Sequence, residues 1–143
     1  MKKLNEKFIV TSVKQHLEKI DYVVKIKKGV HGADIITDYH KKLRKQYVIE
    51  AKGEAGRKKT TSHPVKHNAF YYMLGQILSR MDKEGNQPNR GRRYSLAIPG
   101  KWEVTFKNKI KKMPFGWKLL KLKIFLVNER GTVIEKPYSY FLK

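Results

Sequence analysis

The chain of 143 residues contains no cysteine and no long apolar run. Without cysteine there are no disulfides, no cysteine-ligated zinc sites and no thiol catalysis, and a reducing, cytoplasmic location is expected. No stretch approaches the roughly 18 apolar residues of a membrane span. The start Met-Lys-Lys-Leu-Asn-Glu becomes amphipathic, unlike a signal peptide, so no membrane partner is expected.

Acidic residues are also scarce. Only 12 Asp and Glu stand against 33 Lys and Arg, which gives a net charge of +21. Such an excess repels itself in a compact protein, and its most common use is to neutralise phosphates. The basic clusters lie at residues 25–28, 41–45, 57–59, 90–93 and 107–123. Because no helix-turn-helix, zinc-finger or RNA-binding motif accompanies them, recognition through phosphate and shape is expected.

The apolar pattern predicts one α/β domain over residues 1–143, since 40% of the residues are hydrophobic and the length supports a core. Helical periodicity predicts helices over residues 4–20, 64–81 and 102–112. Apolar or alternating runs predict strands over residues 22–27, 33–39, 46–52, 94–98, 119–127 and 132–135. The predicted order is α-β-β-β-α-β, a mixed central sheet flanked by helices, followed by a C-terminal helix and a β-hairpin.

Glu50 and Lys52 stand at the end of the third predicted strand, just before Gly53. Side chains alternate faces along a strand, so this acid and this ammonium group point to the same side. A Glu-x-Lys triplet is a weak signal alone, and an exposed ion pair is its ordinary interpretation. A second acid on a neighbouring strand would favour a functional site.

Asp34 and Glu6 are the further acids. Asp34 follows the Gly32 turn and begins an apolar strand, where aspartate is uncommon; the alternative is a residue that caps the turn. Glu6 lies near the middle of the apolar stripe predicted for the first helix, where a carboxylate needs a partner or a metal. The alternative is that Glu6 caps the first turn of that helix. Asp38, at the far end of Asp34's strand, is interpreted as solvated.

Three carboxylates beside one lysine are suited to a hard divalent cation. Mg²⁺ or Mn²⁺ takes oxygen ligands, lowers the pKa of a bound water and polarises a phosphate. Lys52 would then orient the attacking water or stabilise the charge that develops on the phosphate.

These residues also follow a family pattern. The chain resembles the PD-(D/E)XK nuclease superfamily, which has the restriction-endonuclease-like fold. The resemblance covers about residues 4–98 and rests on Glu6, Gly32-x-Asp34-Ile35, Glu50-Ala51-Lys52-Gly53 and Tyr71-Tyr72-x-x-Gly75-Gln76-x-x-x-Arg80. The proline that names the motif is missing, because Ala33 precedes Asp34.

The resemblance implies metal-dependent hydrolysis of phosphodiesters on an α-β-β-β-α-β core. Glu6, Asp34 and Glu50 would be the metal ligands and Lys52 the catalytic lysine. Gln76 would be a further catalytic residue beside the site; its alternative role is to bond nearby backbone groups.

The sequence therefore predicts a Mg²⁺- or Mn²⁺-dependent endonuclease that acts on DNA, including branched or single-strand-containing DNA. The residues expected to contact nucleic acid are Lys28, His31, Arg57, Lys58, Lys59, Arg80 and Arg92. A homodimer would place two sites on two strands, as the junction-resolving members of the superfamily do. The alternative is a non-catalytic protein that binds DNA or structured RNA and retains the nuclease fold.

Overall fold

A computed structural model describes residues 3–26, 34–54, 62–83 and 91–143. The helices are α1 (Glu6–Lys19), α2 (Ser62–Lys83), α3 (Glu103–Ile110) and α4 (Pro114–Leu120), with short 3₁₀ turns at Gly100–Trp102 and Tyr138–Leu142. The strands are β1 (Val24–Ile26), β2 (Ile35–Thr37), β3 (Gln46–Ala51), β4 (Arg92–Pro99), β5 (Lys123–Val127) and β6 (Val133–Lys136). No helix in these four ranges has the length and apolar character needed to cross a membrane.

The strands form one mixed sheet in the order β1-β2-β3-β4-β5-β6. The first three strands pair antiparallel, β3, β4 and β5 run parallel, and β6 pairs antiparallel with β5. The predicted α/β class and the C-terminal hairpin are therefore confirmed. The hairpin is not a separate extension, because β5 joins the central sheet beside β4.

Helices cover both faces of the sheet, and the alternation of side chains along the strands divides the core in two. On one face, Ile9, Val13 and Leu17 of α1 pack on Ile49 and other strand residues. The opposite face packs against α2, α3 and α4, and its cluster includes Val48 of β3. Trp102 and Trp117 are fully buried in this second cluster and belong to the core.

The segment after β4 differs from the prediction. Residues 119 and 120 were predicted to begin a strand, but they end α4, and β5 begins at Lys123. Two apolar leucines fit either a strand or a helix. Pro114 occupies the first turn of α4, where its missing N–H costs nothing, and Lys121 ends the helix in the left-handed conformation with φ of 50°. The predicted helix over residues 102–112 is the shorter α3, preceded by a 3₁₀ turn.

Candidate active site

Asp34 and Glu50 lie side by side on the sheet face that α2 covers. The antiparallel register pairs Ile35 with Ile49 and Ile36 with Val48, and one further step places Asp34 opposite Glu50. The Oδ2 atom of Asp34 accepts a 2.8 Å hydrogen bond from the Ala51 backbone N–H. This bond fixes the aspartate against the end of β3, and the two acids that the sequence separates by a gap thus come together.

The Glu50 carboxyl is strongly perturbed. Glu50 is only 6% exposed. Burial raises the pKa of Glu50 to about 8, assisted by the charge of Asp34 and a hydrogen bond to it, while Arg80 acts in the opposite direction. Its Oε1 atom has no hydrogen-bond partner in the part of the chain that the structure describes. A buried carboxyl oxygen without a partner beside a second carboxyl is a place where a cation would be stabilised.

Lys52 extends from the end of β3 toward the same place. Its Nζ atom lies 4.0 Å from Oε1 of Glu6 and 4.9 Å from the centroid of the Tyr72 ring. The Lys52 side chain is 35% exposed, so the ammonium stands at the boundary between the buried acids and solvent. A cation in this position can contact an anion that approaches from outside.

Glu6 reaches the cluster from α1, but not as the sequence predicted. It is the first residue of α1 rather than a member of the buried stripe, and its side chain is 48% exposed. The prediction of a mid-stripe carboxylate was wrong because the helix begins two residues later, at a cap made by Asn5. Partial burial and the charge of Asp34 raise the pKa of Glu6, which Lys52 lowers.

The segment before α1 is fixed to the end of β3 by contacts that the sequence did not reveal. The Leu4 N–H donates to Oε1 of Glu54 at 2.8 Å, and the Glu54 N–H donates to the Leu4 carbonyl at 2.8 Å. Gly53 packs so closely that a Cβ there would lie 2.3 Å from the Glu6 nitrogen. In the sequence, these contacts are marked only by Gly53 and Glu54, which directly follow the Glu-x-Lys triplet. These contacts hold Glu6 beside Lys52.

Helix α2 closes the site with a row of residues four apart. Tyr72 lies under Lys52, and Arg80 places Nε 3.7 Å from Oε1 of Glu50. Gln76 stands between them in sequence and is partly buried; since residues four apart share a helix face, it belongs to the same row. Arg80 is only 8% exposed, so it faces the acids and has little surface for the predicted phosphate contact.

Of the other residues predicted to contact nucleic acid, the structure describes Arg92. Lys28, His31, Arg57, Lys58 and Lys59 lie outside the described residues, so their roles stay predictions. Arg92 begins β4, far along the strands from Glu50. Asp38 is exposed and pairs with Lys25 at 3.1 Å, in agreement with its interpretation as a solvated acid.

The carboxyl pair fits a hard cation in its donor atoms. Within the described ranges no three metal-binding side chains are gathered closely enough to form a complete ion site. Asp34 and Glu50 nevertheless offer adjacent oxygens, one of them without a hydrogen-bond partner. Glu6 stands further out and faces Lys52. Asp34 and Glu50 are therefore suited to bind an ion together, while Glu6 lies nearer the solvent.

No family model, no curated protein and no solved structure matches the chain.

Proposed function

We propose that the protein is a metal-dependent endonuclease of restriction-endonuclease-like fold that hydrolyses phosphodiester bonds in DNA. The observation that carries the proposal is the juxtaposition of Asp34 and Glu50, with Lys52 on the same face of β3. The element order α-β-β-β-α-β that the family resemblance implies is also the order of α1 to β4. The net charge of +21 supports a polyanionic substrate.

Asp34 and Glu50 would hold Mg²⁺ or Mn²⁺, with Glu6 as an outer ligand. The bound ion would supply a Lewis acid for the phosphate and an activated water. The pair is suited to this because ionisation of Glu50 is opposed by burial and by Asp34, and a divalent charge would remove that opposition.

Lys52 would stabilise the negative charge that develops on the phosphate. Its ammonium group is partly exposed and is held between Glu6 and the face of Tyr72. In other enzymes, loss of one donor to the developing oxyanion costs about 2.7–4 kcal/mol, and this sets the scale expected for loss of the Lys52 ammonium.

A nicking assay on supercoiled and branched DNA with Mg²⁺ or Mn²⁺ tests this proposal. Asp34→Asn and Lys52→Met should lower the cleavage rate about 10²-fold or more while DNA binding persists. Matched controls are Asp38→Asn, which removes an exposed acid just after β2, and Lys14→Met, which removes a partly exposed lysine of α1; both should retain activity. Equal loss in test and control variants, with folding intact, would refute the assignment of the site.

A non-catalytic nucleic-acid-binding protein is the second candidate, and one observation favours it. Arg80 gives Glu50 a positive neighbour from within the protein, so the acid has a partial counterion without metal. This function requires DNA or structured RNA to bind equally well in EDTA. It also requires that no substrate be cleaved with Mg²⁺ or Mn²⁺. That result would overturn the proposal of a nuclease.

A further inference from the structure

A second polar site lies at the opposite end of the parallel strands from the carboxyl pair. A cavity of about 460 Å³ is lined there by Arg92, Arg93, Lys121, Lys123 and Tyr94, together with apolar residues of α4 and of the C-terminal turn. Glu50 pairs with Leu96, four residues beyond Arg92, so the two sites are separated by about 13 Å along the sheet. We call this cavity the basic pocket.

Two residues that line the basic pocket each carry a donor without an acceptor. Nη1 of Arg92 and the hydroxyl of Tyr94 are buried and have no hydrogen-bond partner among the described residues. Tyr94 as a whole is 4% exposed. Buried polar groups in proteins are nearly always bonded, and those that are not call for an explanation. Because an arginine N–H can only donate and a tyrosine hydroxyl can donate, the missing partner is an acceptor.

The charges of the pocket are unbalanced as well. None of its lining residues is acidic. Lys123 bonds Oε1 of Glu135 at 2.8 Å, and that carboxylate also bonds His16 at 2.7 Å. No ion pair of Arg92, Arg93 or Lys121 occurs within the described ranges. Three cations around one cavity are therefore left for a ligand.

The conformation of Lys121 agrees with this. The residue ends α4 with φ of 50° and ψ of 40°, a left-handed position where glycine or asparagine is usual. The lysine adds a cation to the rim at a position where glycine would be less strained.

We propose that the basic pocket binds a phosphate group. The guanidinium fork of Arg92 matches phosphate oxygens, and the Tyr94 hydroxyl supplies a neutral donor. The phosphate comes either from a nucleic-acid backbone or from a free phosphate or nucleotide. The proposal does not depend on the nuclease activity, because the pocket shares no residue with the carboxyl site.

Thermal unfolding of the full chain, titrated with inorganic phosphate against chloride at matched ionic strength, tests the pocket. Phosphate should stabilise the wild type. Arg92→Gln should weaken apparent phosphate affinity about tenfold or more, and Tyr94→Phe should weaken it while folding is retained. Arg130→Gln, at an exposed arginine outside the pocket, is the matched control and should behave as wild type.

Binding to duplex and single-stranded oligonucleotides separates the two sources of phosphate. If the ligand is a backbone phosphate, Arg92→Gln should also reduce the slope of log affinity against log salt by about one. If that slope is unchanged while phosphate binding is lost, the ligand is a free phosphate or nucleotide. Asp34→Asn should leave the phosphate response intact in either case. No stabilisation of the wild type beyond chloride, or equal responses of Arg92→Gln and Arg130→Gln, would overturn the proposal.

Discussion

Nε of Arg80 lies 3.7 Å from Oε1 of Glu50, and neither buried atom has a hydrogen-bond partner among the described residues. The distance is too long for a hydrogen bond, yet the two groups interact through charge. Arg80 holds the pKa of Glu50 below the value that burial and Asp34 alone would give it, and the net result is still a rise to about 8. The positive neighbour therefore only partly compensates the buried acid.

Replacement of Arg80 by methionine should destabilise the protein in a pH-dependent way. At pH 6 Glu50 can carry a proton, so loss of the guanidinium costs mainly the packing of the buried Arg80 side chain. At pH 8.5 the wild-type carboxyl is mostly ionised beside Arg80, whereas without the guanidinium the pKa of Glu50 rises further and the variant gains nothing from ionisation. We therefore expect an additional loss of up to about 0.8 kcal/mol. Urea unfolding at both pH values measures this difference. The double variant Arg80→Met with Glu50→Gln should show no such difference; an equal loss at both pH values in the single variant would contradict the interpretation.

The pKa of Glu50 itself predicts an unusual stability profile. The folded-state pKa of about 8 lies above the ordinary value of 4.5, so the folded protein binds this proton more tightly than the unfolded chain. The stability that the group contributes is complete below pH 4.5 and is lost as the pH rises through 8. Glu50→Gln keeps a neutral side chain throughout and should lose less stability over this range.

Chemical denaturation between pH 5 and pH 9 measures that profile. The matched control is Glu129→Gln, at an exposed glutamate, which should follow the wild type. Mg²⁺ or Mn²⁺ should restore stability at pH 8.5 in the wild type but not in Glu50→Gln, because a cation favours the ionised pair. Superimposed profiles for wild type and Glu50→Gln would count against the raised pKa.

The strands of the site were predictable because their signals are local. The apolar run before Glu50 places that acid on β3, and the period of two puts Glu50 and Lys52 on one face. The strand predicted over residues 33–39 is the shorter β2, so Asp34 lies directly before the strand and not within it. The pairing register, which sets Asp34 opposite Glu50, follows once the apolar side chains of the two strands are aligned on the buried faces of the sheet. Long helices such as α2 were also predictable from periodicity alone.

The contacts that hold the site together were not predictable in the same way. The Leu4 N–H donates to the Glu54 carboxylate, fifty residues away along the chain. Hydrophobic periodicity gives no information about such a contact. Arg80 was predicted to face phosphate, but whether an arginine on a helix points to solvent or to a buried acid depends on how the helix packs. The first residue of α1 is set by the Asn5 cap. The prediction followed the apolar periodicity instead and began the helix two residues too early.

Gly53→Ala should disrupt the attachment of α1 to β3. A Cβ at this position would lie 2.3 Å from both the Asn5 carbonyl carbon and the Glu6 nitrogen, which are backbone atoms that cannot move independently. We expect a loss of about 1–3 kcal/mol or more in the free energy of unfolding, together with weaker metal-dependent cleavage because Glu6 moves.

Gly75→Ala is the control for that substitution. Gly75 lies inside α2, and a Cβ added there would meet no atom within 4 Å. Alanine should therefore stabilise the helix by about 0.5–1 kcal/mol. Urea unfolding of the two variants should give changes of opposite sign. A neutral Gly53→Ala would show that the close approach is not rigid.

Glu135, on the edge strand β6, should affect stability with the opposite dependence on pH. Burial would raise the pKa of Glu135, but hydrogen bonds from Lys123 and His16 prevail and lower it. The stability contributed by this carboxylate is present above the ordinary value of 4.5 and is lost as the pH falls through its folded pKa. Tyr47, whose hydroxyl donates to Glu135 at 3.1 Å, shares in the network.

Glu135→Gln should therefore cost stability at pH 7 and little at low pH, the reverse of Glu50→Gln. Because two charged hydrogen bonds are weakened, we expect a loss of about 1–3 kcal/mol at pH 7, which shrinks as the pH falls from the ordinary value of 4.5 toward the lowered folded pKa of the wild-type carboxyl. Unfolding at pH 3.5 and pH 7 measures both values, and Glu129→Gln again serves as the exposed control. If the loss were as large at pH 3.5, packing rather than charge would hold Glu135, since only a charge-based contribution shrinks as the pH falls below 4.5.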